Sequence, residues 1–422
     1  MLMAELILIG PLTKALTLAG IPLRGPLIDQ QVGGISQAGI LIKNGIIADI
    51  GLFDELAIMY QNEKPEIITP AGPCLALPGL VDAHTHICFA GSRAADYAMR
   101  NAGKTYLEIA EAGGGIKDSV RHTRAASLGE LAQLTAFRAQ RHLSEGVTTI
   151  EVKSGYGLSV EEELKMLSAI RDASELTLAD LIPTCLAAHT LPPFFTGGAA
   201  EYLDTLTNEL LPAIKREGLA NRVDAFIEKS AFSAHDVQLY FTQAQKLGFD
   251  ITVHADQFST GGSEVAVRFG ALSADHLEAS TEREVAMIAA SQTIATALPG
   301  ASLGLGMAFT PARALLDAGA CLAIASDWNP GSAPMGDLLM QAAILGAFEK
   351  LSHAEVWAGI TYRSAAALGL HDRGRLQQGM QADIVFFDCA DDREILYHQG
   401  KMKPFAVMKK GQFVSHPNLK SL

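Results

Sequence analysis

Cysteine is scarce and scattered. Five thiols (Cys74, Cys88, Cys185, Cys321 and Cys389) are spread over 422 residues, with no C-x-x-C pair among them. The pattern argues against a disulfide scaffold and reads as reduced thiols in a cytoplasmic protein. Positive charge is also short. The 33 Lys and Arg face 46 Asp and Glu, a formal net charge of −13. Phosphate backbones repel such a chain, so a nucleic-acid partner is not expected. No apolar run has the length and purity of a bilayer span, so no membrane partner is expected either. The apolar start, Met1 to Ile9, is broken by Glu5, lacks a basic segment before it and reads as a strand. Low-complexity tracts, long linkers and short-period repeats are missing.

What is present points to a large α/β protein. Hydrophobic residues make up 49% of the chain, enough for one large domain and a smaller one. Both ends read as short strands. Ile40 to Ile50 predicts a hairpin, because Asn44-Gly45 supplies the positive φ angles of a tight turn. Near the other end, Ala382 to Asp388 predicts a strand and Pro404 to Val414 a second hairpin. Neither terminal piece holds enough apolar surface to fold alone. The expectation is one composite β-sandwich domain from residues 1–76 and 377–422.

Residues 77–376 alternate short β-branched runs with longer helical stretches. Eight strands are predicted: Leu80–His84, Thr148–Val152, Thr184–Ala188, Val223–Glu228, Ile251–His254, Ala271–Asp275, Thr293–Leu298 and Cys321–Ser326. Eight β/α repeats predict a TIM-like (β/α)8 barrel. An open doubly wound sheet is less favoured, since no G-x-G-x-x-G follows the first strand. In a barrel the active groups belong at the C-terminal ends of the strands. His84 and His86, His189, His254, His276 and Asp327 all fall there.

The first strand runs Leu77-Pro78-Gly79-Leu80-Val81-Asp82-Ala83-His84-Thr85-His86. Side chains alternate along a strand, so the two histidines share a face and can share one metal ion. His254 supplies a third neutral nitrogen and Asp327 a carboxylate. A catalytic metal lowers the pKa of its water to about 7, and Asp327 can take that proton and return it to a leaving nitrogen. Taken alone, Asp327 also suits a turn or helix cap before Pro330. His276 is expected to polarise the carbonyl under attack. Arg93, in the loop after His86, offers a guanidinium that grips a carboxylate bidentately. Cys88 is expected to pack rather than ligate. The remaining histidines (His122, His142, His235, His353, His371, His398 and His416) are expected at the surface or as caps. Gly113 to Gly115 lack the flanking strand and Lys-Ser/Thr of a phosphate loop and read as a loop shaping the pocket. Of Glu228 and Lys229, alternation lets only one face inward. A carboxylated Lys229 would imply two metals, a less favoured arrangement.

The P-G-L-V-D-A-H-T-H run resembles the first-strand signature of the amidohydrolase superfamily. Narrower stretches are similar to the imidazolonepropionase family of histidine degradation. They include Phe89 to Arg93, Ala112 to Ile116, Glu151 to Leu158, Ala187 to Pro193 and S-D-W-N-P-G-S from Ser326 to Ser332. The resemblance implies a metal-dependent hydrolase that opens the cyclic amide C–N bond of 4-imidazolone-5-propanoate, giving N-formimino-L-glutamate. It implies one zinc or iron ion on His84, His86, His254 and Asp327. It implies catalytic roles for Asp327, His276 and Gln257, and substrate contacts from Arg93, Tyr156, His189, Gln257, Asn329, Gly331 and Ser332. Tyr106 is a weaker substrate candidate. A homodimer is a further implication. Two rivals stand beside this reading. A nucleobase-type deaminase of the same superfamily would keep the metal residues but have no use for Arg93. A non-catalytic scaffold should have lost one of the four metal residues.

Overall fold

The computed structural model describes residues 6–229 and 231–414. Strands β1 (Leu6–Ala15), β2 (Ile35–Lys43), β3 (Ile46–Leu52), β4 (Glu66–Ile68) and β5 (Leu75–Pro78) open the chain. The barrel strands follow: β6 (Leu80–Asp82), β7 (Val147–Lys153), β8 (Asp180–Ala188), β9 (Arg222–Ile227), β10 (Asp250–Ala255), β11 (Ser273–His276), β12 (Ile294–Ala297) and β13 (Leu322–Ile324). Strands β14 (Ile384–Phe387), β15 (Ala406–Lys409) and β16 (Gln412–Phe413) close it.

The terminal strands form one mixed sheet in the order β16-β15-β14-β5-β1-β2-β3, with β4 beside β1. Both predicted hairpins are present. Asn44 (φ 52°) and Gly45 (φ 79°) turn β2 into β3, and Lys410 (φ 48°) and Gly411 (φ 77°) turn β15 into β16. Both left-handed pairs match the twist of the flanking strands. The sheet joins chain ends through β14, which lies antiparallel to β5 with Ile384 opposite Pro78. It curls over a core of its own, in which Ile9, Leu12 and Ile40 pack with Ile384, Phe386 and Met408. Gly79 marks the passage from sheet to barrel. A Cβ there would lie 2.4 Å from Thr148 Oγ1, so only glycine fits.

All eight predicted barrel strands form, in the parallel order β6 to β13. The helices between them carry the expected signals. Ser127 caps Leu128–Ser144 and Ser159 caps Val160–Ser174, each accepting the N–H three residues on. The barrel closes differently from its other seams. The β6 ladder ends at Asp82, short of the predicted His84. Closure onto β13 is made past the strand ends, by a parallel bridge between Thr85 and Trp328. Asp327 N–H donates to His84 O at 3.0 Å and His86 N–H to Trp328 O at 2.9 Å. The Asp82 carboxylate adds a bond from Ser326 N–H at 2.9 Å. The seam therefore sets His84 and His86 directly against Asp327.

Among the described residues, no helix is long and apolar enough to cross a membrane. All five cysteines are buried and unpaired. Cys88 donates weakly to Met166 O, and burial pushes its thiol up to about 12. It packs, as expected, and carries no thiolate.

Candidate metal centre and substrate rim

Four side chains converge, His254 from β10 and His84, His86 and Asp327 from just past the ends of β6 and β13. His84 Nε2 lies 3.2 Å from His86 Nε2, and His254 Nε2 lies 3.3 Å from His86 Nε2. Asp327 Oδ1 lies 3.5 Å from His84 Nε2 and 3.4 Å from His86 Nε2. Donors about 2.1 Å from one shared centre, at angles of roughly 90–110°, stand about 3.0–3.4 Å apart. The spacing of His84, His86 and Asp327 therefore fits one divalent metal ion, with His254 Nε2 beside it. His276 borders it, with its ring 5.3 Å from that of His254 and 5.8 Å from that of His84. It forms a second, overlapping triad with His84 and His254.

The imidazoles are held in the ligating form. Burial lowers His86 to about 3 and His254 to about 4, and takes His84 well below its ordinary value. A neutral ring needs its other nitrogen occupied by an acceptor to fix the tautomer. His84 Nδ1 is 2.7 Å from Asp275 Oδ2, and His254 Nδ1 is 2.8 Å from Asp224 Oδ2. Both carboxylates surround Lys153, whose Nζ lies 2.8 Å from Asp224, 2.8 Å from Glu151 and 3.9 Å from Asp275. Burial alone would raise Asp224, but His254 and Lys153 hold it far below the usual carboxylate range. Burial raises Glu151 to about 7, against the pull of Lys153. Burial also raises Asp327, opposed by His276 and His254. A dication beside it would pull it the other way. Burial would lower His276, but Glu278, 3.4 Å from its Nδ1, and then Asp327 outweigh burial and raise it.

Sequence reasoning gives no role to Glu151, Lys153, Asp224 or Asp275, although Lys153 and Asp275 fall at strand ends. The signal was there: charged residues at alternate positions inside strands that otherwise read as buried.

The rim collects the other expected groups. Arg93 spends Nε on Asp96 at 2.7 Å, and Asp96 also accepts Gly115 N–H at 2.8 Å. The glycine run thus backs the arginine. Across the rim, a Cβ on Gly331 would sit 2.4 Å from Arg93 Nη1, so glycine at that position lets the guanidinium reach the strand-eight loop. Tyr156 is buried, which raises its phenol; the Arg93 charge lowers it and the Asp327 charge raises it, so it feels both poles of the pocket. His189 stacks on His86 with centroids 5.7 Å apart and Tyr156 lies at the same distance from it. His189 Nδ1 is 2.9 Å from Gly155 O, which leaves Nε2 as its free nitrogen.

Asn329 spends its side chain on its own loop. Oδ1 accepts Gly331 N–H and Ser332 N–H, while Nδ2 donates to Asp327 O and Ser332 Oγ. Ser332 Oγ is 3.4 Å from Asp327 Oδ2. Gln257 is buried two residues past the end of β10. Asp256 before it accepts three N–H groups at the start of the helix Gly262–Arg268. The backbone is left-handed at Asp256, His276 and Asp327, the strain that rims of active sites store.

Of Glu228 and Lys229, Glu228 is buried and accepts Phe258 N–H and Ser259 N–H, while Lys229 is exposed, so only one of the pair turns inward. One reading needs correction. His142 is fully buried, its Nε2 3.0 Å from Asp82 Oδ2 and its ring 4.8 Å from Trp328. It lies on the inner face of its helix with Leu131 and Ala139, a 3.6-residue period that outranks its polarity. The Tyr106 side chain and His416 lie outside the described residues.

The model of the amidohydrolase family matches residues 99–414, so the chain belongs to that family. Solved structures agree on the fold. A triazine hydrolase variant superposes with a TM-score of 0.72 at 17% identity, covering 98% of this chain and 95% of that one. A zinc-bound adenosine deaminase from Xanthomonas campestris gives 0.68 at 17%, covering 98% and 93%. Curated relatives are closer in sequence. Imidazolonepropionase of Herpetosiphon aurantiacus is 38% identical, with 94% of each chain covered. That of Myxococcus xanthus is 40% identical, with 88% of each chain covered. Within the amidohydrolases, then, the chain is a member of the imidazolonepropionase family, hydrolases of histidine degradation.

Proposed function

We propose that this chain hydrolyses the cyclic amide C–N bond of 4-imidazolone-5-propanoate to N-formimino-L-glutamate, using one zinc or iron ion held by His84, His86, His254 and Asp327. The observation that carries the reading is the rim. Arg93 lies against the strand-eight loop at Gly331, and the Tyr156 ring stands 6.1 Å from that of His86 and 5.7 Å from that of His189. A short anionic arm on a planar lactam suits that spread of charge: carboxylate at Arg93, ring at Tyr156 and His189, carbonyl at the metal donors.

When bound, the metal supplies Lewis-acid polarisation and a water acidified to a pKa of about 7. The chain does the rest. With Nε tied to Asp96, Arg93 keeps its two terminal nitrogens for the propionate. Tyr156 and His189 orient the ring by hydrogen bonds. Asp327 takes a proton from the attacking water and gives it to the ring nitrogen as the C–N bond breaks. His276, steadied by Glu278, donates to the carbonyl oxygen as negative charge builds there. Gln257 hydrogen-bonds the ring and carries no proton. Asn329, Gly331 and Ser332 shape the loop over it. The five buried thiols suit a reducing compartment, so we place the enzyme in the cytoplasm; its partner is a small-molecule substrate, and a homodimer is proposed from the family resemblance alone.

A nucleobase deaminase would share the metal donors but leave Arg93 without a carboxylate. Steady-state turnover decides between them. Imidazolonepropionate should be consumed with formiminoglutamate as product, and cytosine or guanine should not react. Preference for a nucleobase would overturn the proposal.

A further inference from the structure

Beneath the metal donors lies a buried ionic layer that the hydrolysis itself does not use. Lys153 ends β7 with its side chain fully buried. Its Nζ bonds Glu151 on the same strand and Asp224 on β9, and lies 3.9 Å from Asp275 on β11. Asp224 and Asp275 each accept from the Nδ1 of a different imidazole, His254 and His84. One ammonium thus stands between the two acceptors that orient two of the three histidines. Neighbouring bonds complete the frame. Asp224 Oδ1 also takes His254 N–H, Thr252 Oγ1 donates to Asp275 Oδ2, and Glu151 Oε2 takes Thr85 N–H, at the residue between His84 and His86.

We propose that Lys153 is a positioning residue for the metal centre: by bridging Asp224 and drawing in Asp275 it fixes the rings of His254 and His84 with Nε2 turned to the metal, and so sets metal affinity. The inference rests on the metal reading above. Its physical basis is geometric: Lys153 Nζ lies 2.8 Å from Asp224 Oδ2 and 3.9 Å from Asp275 Oδ2, the same oxygens that hold the two Nδ1 atoms. Without that shared cation each carboxylate loses a restraint on its rotation, and the ring it holds is freer to turn. Losing an outer partner of a ligating histidine costs about 10- to 100-fold in metal affinity. A lysine acting by charge alone predicts the reverse, because removing one cation near another tightens metal binding.

The test uses purified full-length protein, stripped of metal and titrated with Co2+ against a competing chelator. Affinity and the visible d–d spectrum are both read. Lys153→Met removes the bridge. Lys153→Met/Glu151→Gln removes one charge of each sign, keeps the net charge of the layer, and guards against a variant that does not fold. In the double variant we expect a native circular dichroism spectrum, Co2+ binding weakened about 10-fold or more, and an altered d–d band. Unchanged or tighter binding with the original spectrum would overturn the assignment. Failure of the unmodified protein to bind one Co2+ per chain would overturn the metal reading, and the assignment with it.

Discussion

In the terminal sheet the space between strands is filled by Ile9, Leu12, Ile40, Ile384, Phe386 and Met408, all apolar and buried. At the centre of the barrel, just as deep, stand Glu151, Lys153, Asp224 and Asp275. Apolar burial stabilises by about 25 cal/mol per Å2 and demands nothing of its neighbours. Buried ions stabilise only when every partner is present, and a well-packed apolar replacement is often as stable or more so. The sheet core is therefore explained by stability alone. The barrel core needs a second reason, and the bonds from Asp224 and Asp275 to the ligating histidines provide it.

That contrast can be broken from either side. The largest effect belongs to Asp327→Asn, which keeps the shape and removes the proton carrier. Turnover should fall by at least about 10²- to 10⁴-fold while the circular dichroism spectrum is retained. Substantial residual turnover would hand the proton to another group. On the other side, Phe386→Ala should cost about 3–5 kcal/mol of stability. It should leave KM within about two-fold, read from urea unfolding and steady-state kinetics on the folded fraction. A shifted KM would mean that the two cores are coupled.

Arg93→Met sharpens the rim. KM for imidazolonepropionate should rise about 10²-fold with kcat changed less. An unchanged KM would remove Arg93 from the site. The smallest effect lies at the junction of the two regions. Asp180, at the start of β8, is bound by Lys409 at 2.9 Å, Lys410 at 2.7 Å and Arg373 at 2.6 Å. Burial would raise its carboxyl, but these cations pull it down to about 2. A carboxyl depressed in the folded state stabilises above its unfolded pKa, near 4, and that gain fades as pH falls through about 2. Wild type should exceed Asp180→Asn by roughly 2 kcal/mol at neutral pH. The gap should narrow between about pH 4 and pH 2, followed by urea midpoints. A gap independent of pH would show that the cations do not act through its charge.

Much of this was legible in the chain. Asn44-Gly45 announced its hairpin because only a left-handed pair joins those strands. The eight barrel strands were legible from β-branched runs, and His84, His86, His254 and Asp327 from their place at strand ends. The buried ionic layer was not assigned, because charges inside a buried strand do not say which partners meet them until β8 and β9 bring Asp224 beneath Glu151 and Lys153. His142 misled because a polar residue can sit on an inner helix face when Asp82 waits there. The seam of the barrel was also hidden, since it is made by loops past β6 and β13 rather than by the strands themselves.

Anomalous diffraction at the absorption edge of the bound metal would test the centre most directly. One peak per chain is expected, about 2.0–2.3 Å from His84 Nε2, His86 Nε2, His254 Nε2 and Asp327 Oδ1. A peak that leaves out His86 or Asp327, or a second one beside Lys229, would contradict it.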